Sequence, residues 1–210
     1  MALASGNAIL EEEFQTNREF NSPSVGILSQ RFVGPDKCQV LDLGAPSESN
    51  VAFFSRSPCK FYLEDLYRSF IAPRTGRKPS SDEDDDVASA IAAALSFESS
   101  ARFDLVLGWD LFSYIERSAI ELLIAHIARS CHTGTLLFLT LPTGAMIPSV
   151  PAQISMTQRG RLRYRSVSDG QSISNPRLSP TALESMMPGF RLLHSFLLGE
   201  EMQEFLFGYA

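Results

Sequence analysis

The chain reads as an α/β domain: a mostly parallel sheet with helices on both faces and an antiparallel hairpin closing the C-terminal end. Three observations predict this. Short apolar runs alternate with amphipathic stretches along most of the 210 residues, the pattern of strands joined by helical crossovers. The run Val40-Leu-Asp-Leu43 ends at Gly44 and a polar turn, and an apolar segment able to start a helix near Asn50 follows. That is the strand–turn–helix opening of a nucleotide-binding domain. Finally, the apolar runs Phe190–Leu198 and Met202–Tyr209 are joined only by Gly199-Glu-Glu201, a link that suits a hairpin.

Residues 1–22 read as a flexible leader and residues 23–210 as one domain. In the leader, Glu11-Glu-Glu13 is a solvated face. Ser24 to Val33 has helical spacing, with Val25, Leu28 and Phe32 on one side, and stops at Gly34-Pro35. The first strand spans 38–44, and a short helix at 51–54 ends at Ser57-Pro58. A second strand, Lys60–Leu63, ends on Glu64-Asp65. Pro-, Gly- and Ser-rich sequence then leads into the acidic run Asp82–Asp86. Acids in the first turn of a helix complement its dipole, and an Ala-rich helix, Val87–Leu95, follows; a Mg²⁺ site is the lesser reading of that run.

Phe103–Trp109 is a buried strand ending at Asp110, and Glu116–Arg129 is an amphipathic helix with Ile120, Leu123, Ile124 and Ile127 on one face. His126 beside that stripe reads as structural. The strand Thr135–Leu141 ends at Pro142-Thr-Gly144, and residues 145–178 read as an irregular Arg- and Ser-rich insertion. Ser179-Pro180 starts a last helix, Thr181–Met187, closed by Pro188-Gly189.

Composition narrows the function. Apolar residues at 44% support a full core, and a net charge of −6 argues against wholesale nucleic-acid binding. Cys38, Cys59 and Cys131 lack metal-ligand spacing and read as small buried hydrophobes. There is no apolar run of membrane-spanning length and no basic-then-apolar N-terminus, so a cytoplasmic protein is expected. One stripe opposes the acidic average. As a strand, Arg159-Gly-Arg-Leu-Arg-Tyr-Arg165 places Arg161, Arg163 and Arg165 on one face and Leu162 and Tyr164 on the other. It reads either as a surface for an acidic partner or as an edge strand kept soluble by charge.

The order of elements with its closing hairpin resembles the class I S-adenosylmethionine (SAM)-dependent methyltransferases, whose sheet is Rossmann-like. Val40-Leu-Asp-Leu-Gly44 is similar to the family's first motif, and Glu64-Asp65 stands where the family keeps an acid for the ribose hydroxyls. Phe103-Asp-Leu-Val-Leu-Gly-Trp-Asp110, followed by Leu-Phe-Ser-Tyr-Ile115, is similar to its fourth strand and the following turn. Two features depart from the family pattern. The later glycines of the first motif are replaced by Pro46 and Glu48, and no helix–strand pair separates the acidic tip from the fourth strand.

The resemblance implies SAM as cofactor, an unidentified methyl acceptor, and a site built from Asp42, Gly44, Ala45, Ser47, Glu64, Asp65, Trp109 and Asp110. The turn through Gly44, Ala45 and Ser47 offers backbone donors to the cofactor carboxylate. Glu64 or Asp65 accepts from the ribose diol, and Asp42, Asp110 and Trp109 surround the sulfonium. Glu48 and Pro46 are the expected obstacles, one a like charge and the other lacking an N–H donor. The principal rival is a catalytically inactive methyltransferase fold serving as a binding or scaffolding protein. A nicotinamide-dependent oxidoreductase is disfavoured by the lone Gly44, and a hydrolase by the absence of a Gly-x-Ser-x-Gly elbow.

Overall fold

The computed structural model describes residues 14–76, 83–157, 160–168 and 170–210. Strand β1 (Phe14–Asn21) is followed by helix α1 (Pro23–Phe32). Ser22 caps that helix, its Oγ accepting from the Val25 N–H, with proline in the first turn. Strand β2 (Cys38–Asp42) passes through the glycine turn into α2 (Glu48–Phe54), and β3 (Cys59–Leu63) comes next. A π-helical turn, Tyr67–Ile71, runs into the single turn α3 (Ala72–Arg74), and α4 (Glu83–Ala94) follows. Strand β4 (Phe103–Trp109) continues through a 3₁₀ turn, Leu111–Tyr114, to α5 (Arg117–Ala128) and β5 (Cys131–Pro142). Four short strands come next: β6 (Met146–Pro148), β7 (Gln153–Thr157), β8 (Arg161–Ser168) and β9 (Ser172–Ser174). Helix α6 (Pro180–Met186) precedes the final hairpin of β10 (Phe190–Leu198) and β11 (Met202–Tyr209).

Six strands form the main sheet in the order β10-β11-β5-β4-β2-β3. β3, β2, β4 and β5 are parallel, and β11 runs antiparallel to both β5 and β10. The α/β fold and the closing hairpin are therefore those that the sequence predicts. Along the chain no described strand intervenes between β3 and β4, and β3 forms the second edge of the sheet.

The pleat divides buried side chains between two cores. Leu41, Val106, Leu137 and Leu139 pack under α4, α5 and α6. Val40, Leu105, Leu107, Leu136 and Phe138 face α1 and α2 instead. His126 is half-buried against the Phe97 ring. Among the described residues no helix is long and apolar enough to cross a membrane.

Two sequence expectations need correction. Residues 14–21 are not a flexible leader. They form β1, which pairs antiparallel with β8 from Phe14↔Ser168 to Asn21↔Arg161. Residues 1–13, including Glu11–Glu13, lie outside the described residues. Nor is the 145–178 insertion irregular, because β8 is the centre of a three-stranded sheet, β1-β8-β7, and β6 pairs with β9. Ile154, Met156 and Leu162 of this small sheet are buried in the core shared with α1 and α2. The partner strands are far apart in sequence and carry few apolar residues each, so neither shows its pairing locally.

The arginine stripe divides between faces as its alternation predicts, with Leu162 fully buried. It is not a bare cationic surface. Arg161 and Arg163 both pair with Glu19 of β1, and β8 is a middle strand rather than an edge. Among the described residues there is no cluster of metal-ligating side chains, and Asp86 pairs with Arg74. Asp82 lies outside the described residues.

The start of α1 is held by a buried carboxylate. Glu204 on β11 accepts from the Ser22 hydroxyl at 2.5 Å and from the Ser24 N–H at 2.8 Å. An anion at a helix N-terminus answers donors that have no intrahelical partner, and burial strengthens the effect. Glu204→Ala should therefore destabilise the fold by about 2–4 kcal/mol in urea denaturation, because two buried donors lose a charged acceptor. Glu201→Ala, which removes the exposed ion pair with Arg18, should cost less than about 1 kcal/mol. Equal effects would show that Glu204 does not anchor α1.

Candidate functional site

Asp42 ends β2 with its carboxylate completely buried. A buried carboxylate must be satisfied by donors, and three elements supply them. Oδ1 accepts from the Gly44 N–H at 2.9 Å and from the Trp109 indole N–H at 2.5 Å. Oδ2 accepts from the Asn50 side-chain amide at 3.1 Å. Burial pushes the Asp42 carboxyl up to about 6, with the bonds from Trp109, Gly44 and Asn50 acting the other way.

Trp109 reaches Asp42 by lying across Gly44. A Cβ at residue 44 would stand 2.4 Å from the indole Cδ1, so only glycine fits beneath the ring. Trp109 itself adopts φ 50°, a left-handed conformation costly for a bulky side chain. Asn50 uses its other atoms to hold the small sheet. Its Oδ1 accepts from the Met156 N–H at 2.8 Å, and its amide also donates to the Ile154 carbonyl at 3.3 Å.

A cleft of about 510 Å³ opens at the carboxyl ends of β2, β3 and β4. β2 crosses over to β3 on one side while β4 lies on its other side. The cleft thus sits at the topological switch point of the sheet, the usual binding position in open α/β folds. Gly44, Ala45, Pro46, Trp109 and Asp110 line it from the tips of β2 and β4. Asp65, Tyr67 and Arg68 line it beyond β3, and Val150–Ile154 form the remaining wall.

That wall is bonded to the strand tips. Ala152 N–H donates to Asp110 Oδ2 at 3.3 Å, and Gln153 donates to the Pro46 carbonyl at 2.7 Å. Asp110 is fully buried, which pushes its carboxyl up to about 7. A second cleft, about 430 Å³ and walled partly by Phe70, Ile71, Val87, Tyr114 and Ile115, meets the first at Tyr67.

Of the residues singled out in the sequence, Gly44, Ala45, Asp65, Trp109 and Asp110 come together around the cleft. Asp42 is not in the lining, its oxygens taken by Gly44, Trp109 and Asn50. Ser47 is buried as the N-cap of α2, accepting from the Asn50 N–H at 3.4 Å, and does not line the cleft. Glu64 accepts from the Ser96 N–H and hydroxyl and is likewise outside the lining. Asp65 lines the cleft and also accepts from the Arg68 N–H at 3.2 Å.

Glu48, which the sequence suggests as an obstacle to the cofactor carboxylate, stands apart from the cleft lining. It is the first residue of α2, exposed and outside the cleft, where its charge suits the helix dipole. The group that covers Gly44 is Trp109. Asn50, Tyr67, Arg68 and the 150–154 wall were not anticipated. A lone asparagine opening an apolar helical segment is the one local signal among them, since a buried amide needs partners.

Two outcomes follow from the buried pair of aspartates. Trp109→Phe removes a donor from a buried acceptor and should cost about 1–3 kcal/mol in denaturation experiments. Asp42 and Asp110 bind their protons more tightly folded than unfolded. Their protonation stabilises the fold fully below about pH 4, and that contribution is lost as the pH rises to about 7. Asp110→Asn should therefore show a smaller fall in urea midpoint than the parent between about pH 5 and pH 8. An unchanged pH dependence would show that Asp110 does not titrate in this range.

No protein-family model matches the chain, and no curated protein matches it by sequence. Solved structures do. One is 1,6-didemethyltoxoflavin-N1-methyltransferase of Burkholderia thailandensis, solved with 1,6-didemethyltoxoflavin and S-adenosylhomocysteine. It is 18% identical over 90% of this chain and 77% of its own, with a TM-score of 0.49. A TehB-like SAM-dependent methyltransferase of Corynebacterium glutamicum is 13% identical over 90% of this chain and 88% of its own, with a TM-score of 0.47. A SAM-dependent methyltransferase of Clostridium acetobutylicum is 11% identical over 89% of each chain, also at a TM-score of 0.47.

Proposed function

We propose that the chain binds SAM or its demethylated product, S-adenosylhomocysteine, in the cleft at the strand tips and acts as a methyltransferase-like protein on an unidentified acceptor. The observation that carries this reading is the cleft's position at the switch point between β2 and β4, with Asp65 at the neighbouring strand tip. Asp65 offers a carboxylate to a ribose diol. Beyond Tyr67, the apolar and aromatic walls of the second cleft suit a purine ring. Tyr67 opens a π-helical turn, a feature frequent at functional sites. The two clefts share Tyr67, which gives room for a ligand with an amino-acid end and an adenine end.

Methyl transfer from a sulfonium needs positioning and exclusion of water more than covalent help. The Val150–Ile154 wall, bonded to Asp110 and Pro46, gives the cleft its cover. The second reading, a catalytically inactive methyltransferase fold serving as a binding or scaffolding protein, is favoured by the Trp109 indole lying on Gly44. There the protein itself occupies the face of the turn that the resemblance assigns to the cofactor.

Calorimetry and thermal-shift measurements with SAM, S-adenosylhomocysteine and NAD separate these readings. Heat and a raised melting temperature with the two adenosyl compounds, and neither with NAD, are expected. Asp65→Ala should weaken both adenosyl ligands roughly tenfold by removing a charge-assisted acceptor. Absence of binding by either compound would sink the reading in favour of a scaffold.

A further inference from the structure

Cys38 opens β2 and Cys59 opens β3, at the end of the sheet away from the cleft. The parallel register sets them side by side, Cys38↔Cys59, ahead of Gln39↔Lys60 and Val40↔Phe61. Register partners point to the same face of a sheet. Cys38 is accordingly buried in the core beneath α1 and α2, and the partly exposed Cys59 packs against that same core. Neighbouring strands lie about 4.8 Å apart, inside the roughly 4.4–6.8 Å that separates the Cα atoms of a disulfide. Each thiol also acts on the other's proton, so the side chains approach as well as the backbones. Both are free thiols. Cys131, by contrast, lies against the opposite core and gives its Sγ–H to the Ile127 carbonyl at 3.5 Å.

Little holds the pair apart. β3 is an edge strand with β2 as its sheet neighbour, so its first residue can draw inward without disturbing a strand beyond it. The entry to β3 is a local turn, in which the Cys59 N–H donates to the Ser57 carbonyl at 2.7 Å and the Cys38 N–H to the Pro58 carbonyl at 3.4 Å. The Cys59 Sγ–H makes a long bond to the Lys60 carbonyl at 3.8 Å. Burial raises both thiols, and the charge of Asp104 acts the same way. The site therefore disfavours a thiolate, whereas a disulfide carries no charge and suits an apolar core.

We propose that Cys38 and Cys59 are a redox pair, joined reversibly as a disulfide by exchange with a small disulfide such as oxidised glutathione. Cys59, the more exposed, attacks first as the thiolate. Its sulfur bonds to one glutathione sulfur, the glutathione S–S bond breaks, and the other half leaves with the electron pair. Cys38 then attacks the Cys59 sulfur and expels the second glutathione. The two cysteines are oxidised, the glutathione disulfide is reduced, and the two protein thiol protons end on the two glutathione thiols. Because thiolate is scarce at both positions, the exchange is slow at neutral pH. The bond closes a loop that holds the rest of β2, the Gly44 turn and α2, and so pins the segment carrying one side of the cleft. It does not depend on what the cleft binds.

The test exposes the native full chain to oxidised glutathione at about pH 8.5, where more thiolate forms. The chain is then unfolded and alkylated, and its peptides are read by mass spectrometry without reductant. The expected result is a peptide pair linked through Cys38 and Cys59, alkylation at Cys131 alone, and full reversal by dithiothreitol. In Cys38→Ser, Cys59 should instead retain glutathione, because the thiol that expels it is gone. The inference is overturned if the parent keeps glutathione on Cys59, if Cys38 and Cys59 both remain open to alkylation, or if Cys131 enters the linkage. Should the Cys38→Ser chain not fold, the linkage in the parent decides by itself.

Discussion

Asp42 needs donors, and the way it obtains them organises the strand-tip end of the molecule. A carboxylate sealed at the end of a central strand is tolerable only when hydrogen bonds replace water. Its donors come from the turn after β2, from the end of β4 and from the start of α2. Each donor settles a further feature. The Gly44 N–H closes the turn. The Trp109 indole packs close over that glycine, and the residue holds a backbone conformation that a tryptophan would otherwise avoid. Asn50, once oriented by Asp42, presents its oxygen and amide to the β7 backbone and ties the small sheet to the main one.

This arrangement explains a turn that departs from the glycine-rich pattern. Later glycines are useful where a ligand must approach backbone closely. Here the indole makes the close approach, and only Gly44 is needed beneath it. Pro46 gives its carbonyl to Gln153, a role that needs no N–H. Glu48 enters α2 at a position where negative charge is favourable. The free space lies to the side of the glycine, toward Asp65, Tyr67 and the 150–154 wall.

The second face of the sheet is completed by segments that look peripheral in sequence. β1 and the insertion supply the three-stranded sheet that covers α1, α2 and the β2–β4–β5 face with Ile154, Met156 and Leu162. Glu204 fastens α1 from the hairpin, so the last strand and the first described helix share one buried charge. Stability and the cleft are therefore coupled, because the wall of the cleft is also an edge of this small sheet.

The α/β class, the strands at 38–44, 60–63 and 103–109, the helices from Val25, Leu28 and Phe32 to Ile127, and the closing hairpin are legible in the sequence. Each of these rests on a local signal: a period of two or of 3.6, a breaker, or a link too short to cross a sheet. Of the eight residues that the resemblance named, Gly44, Ala45, Asp65, Trp109 and Asp110 line the cleft, while Asp42, Ser47 and Glu64 do not. Tertiary structure alone decided which of two adjacent acids faces the cleft, since Glu64 is drawn to Ser96 while Asp65 is not. It alone made β1 and β8 partners, because pairing between distant, weakly apolar strands leaves no local trace. And it set the Trp109 indole over Gly44, because the placement of a side chain beside a glycine depends on which buried group needs its hydrogen bond.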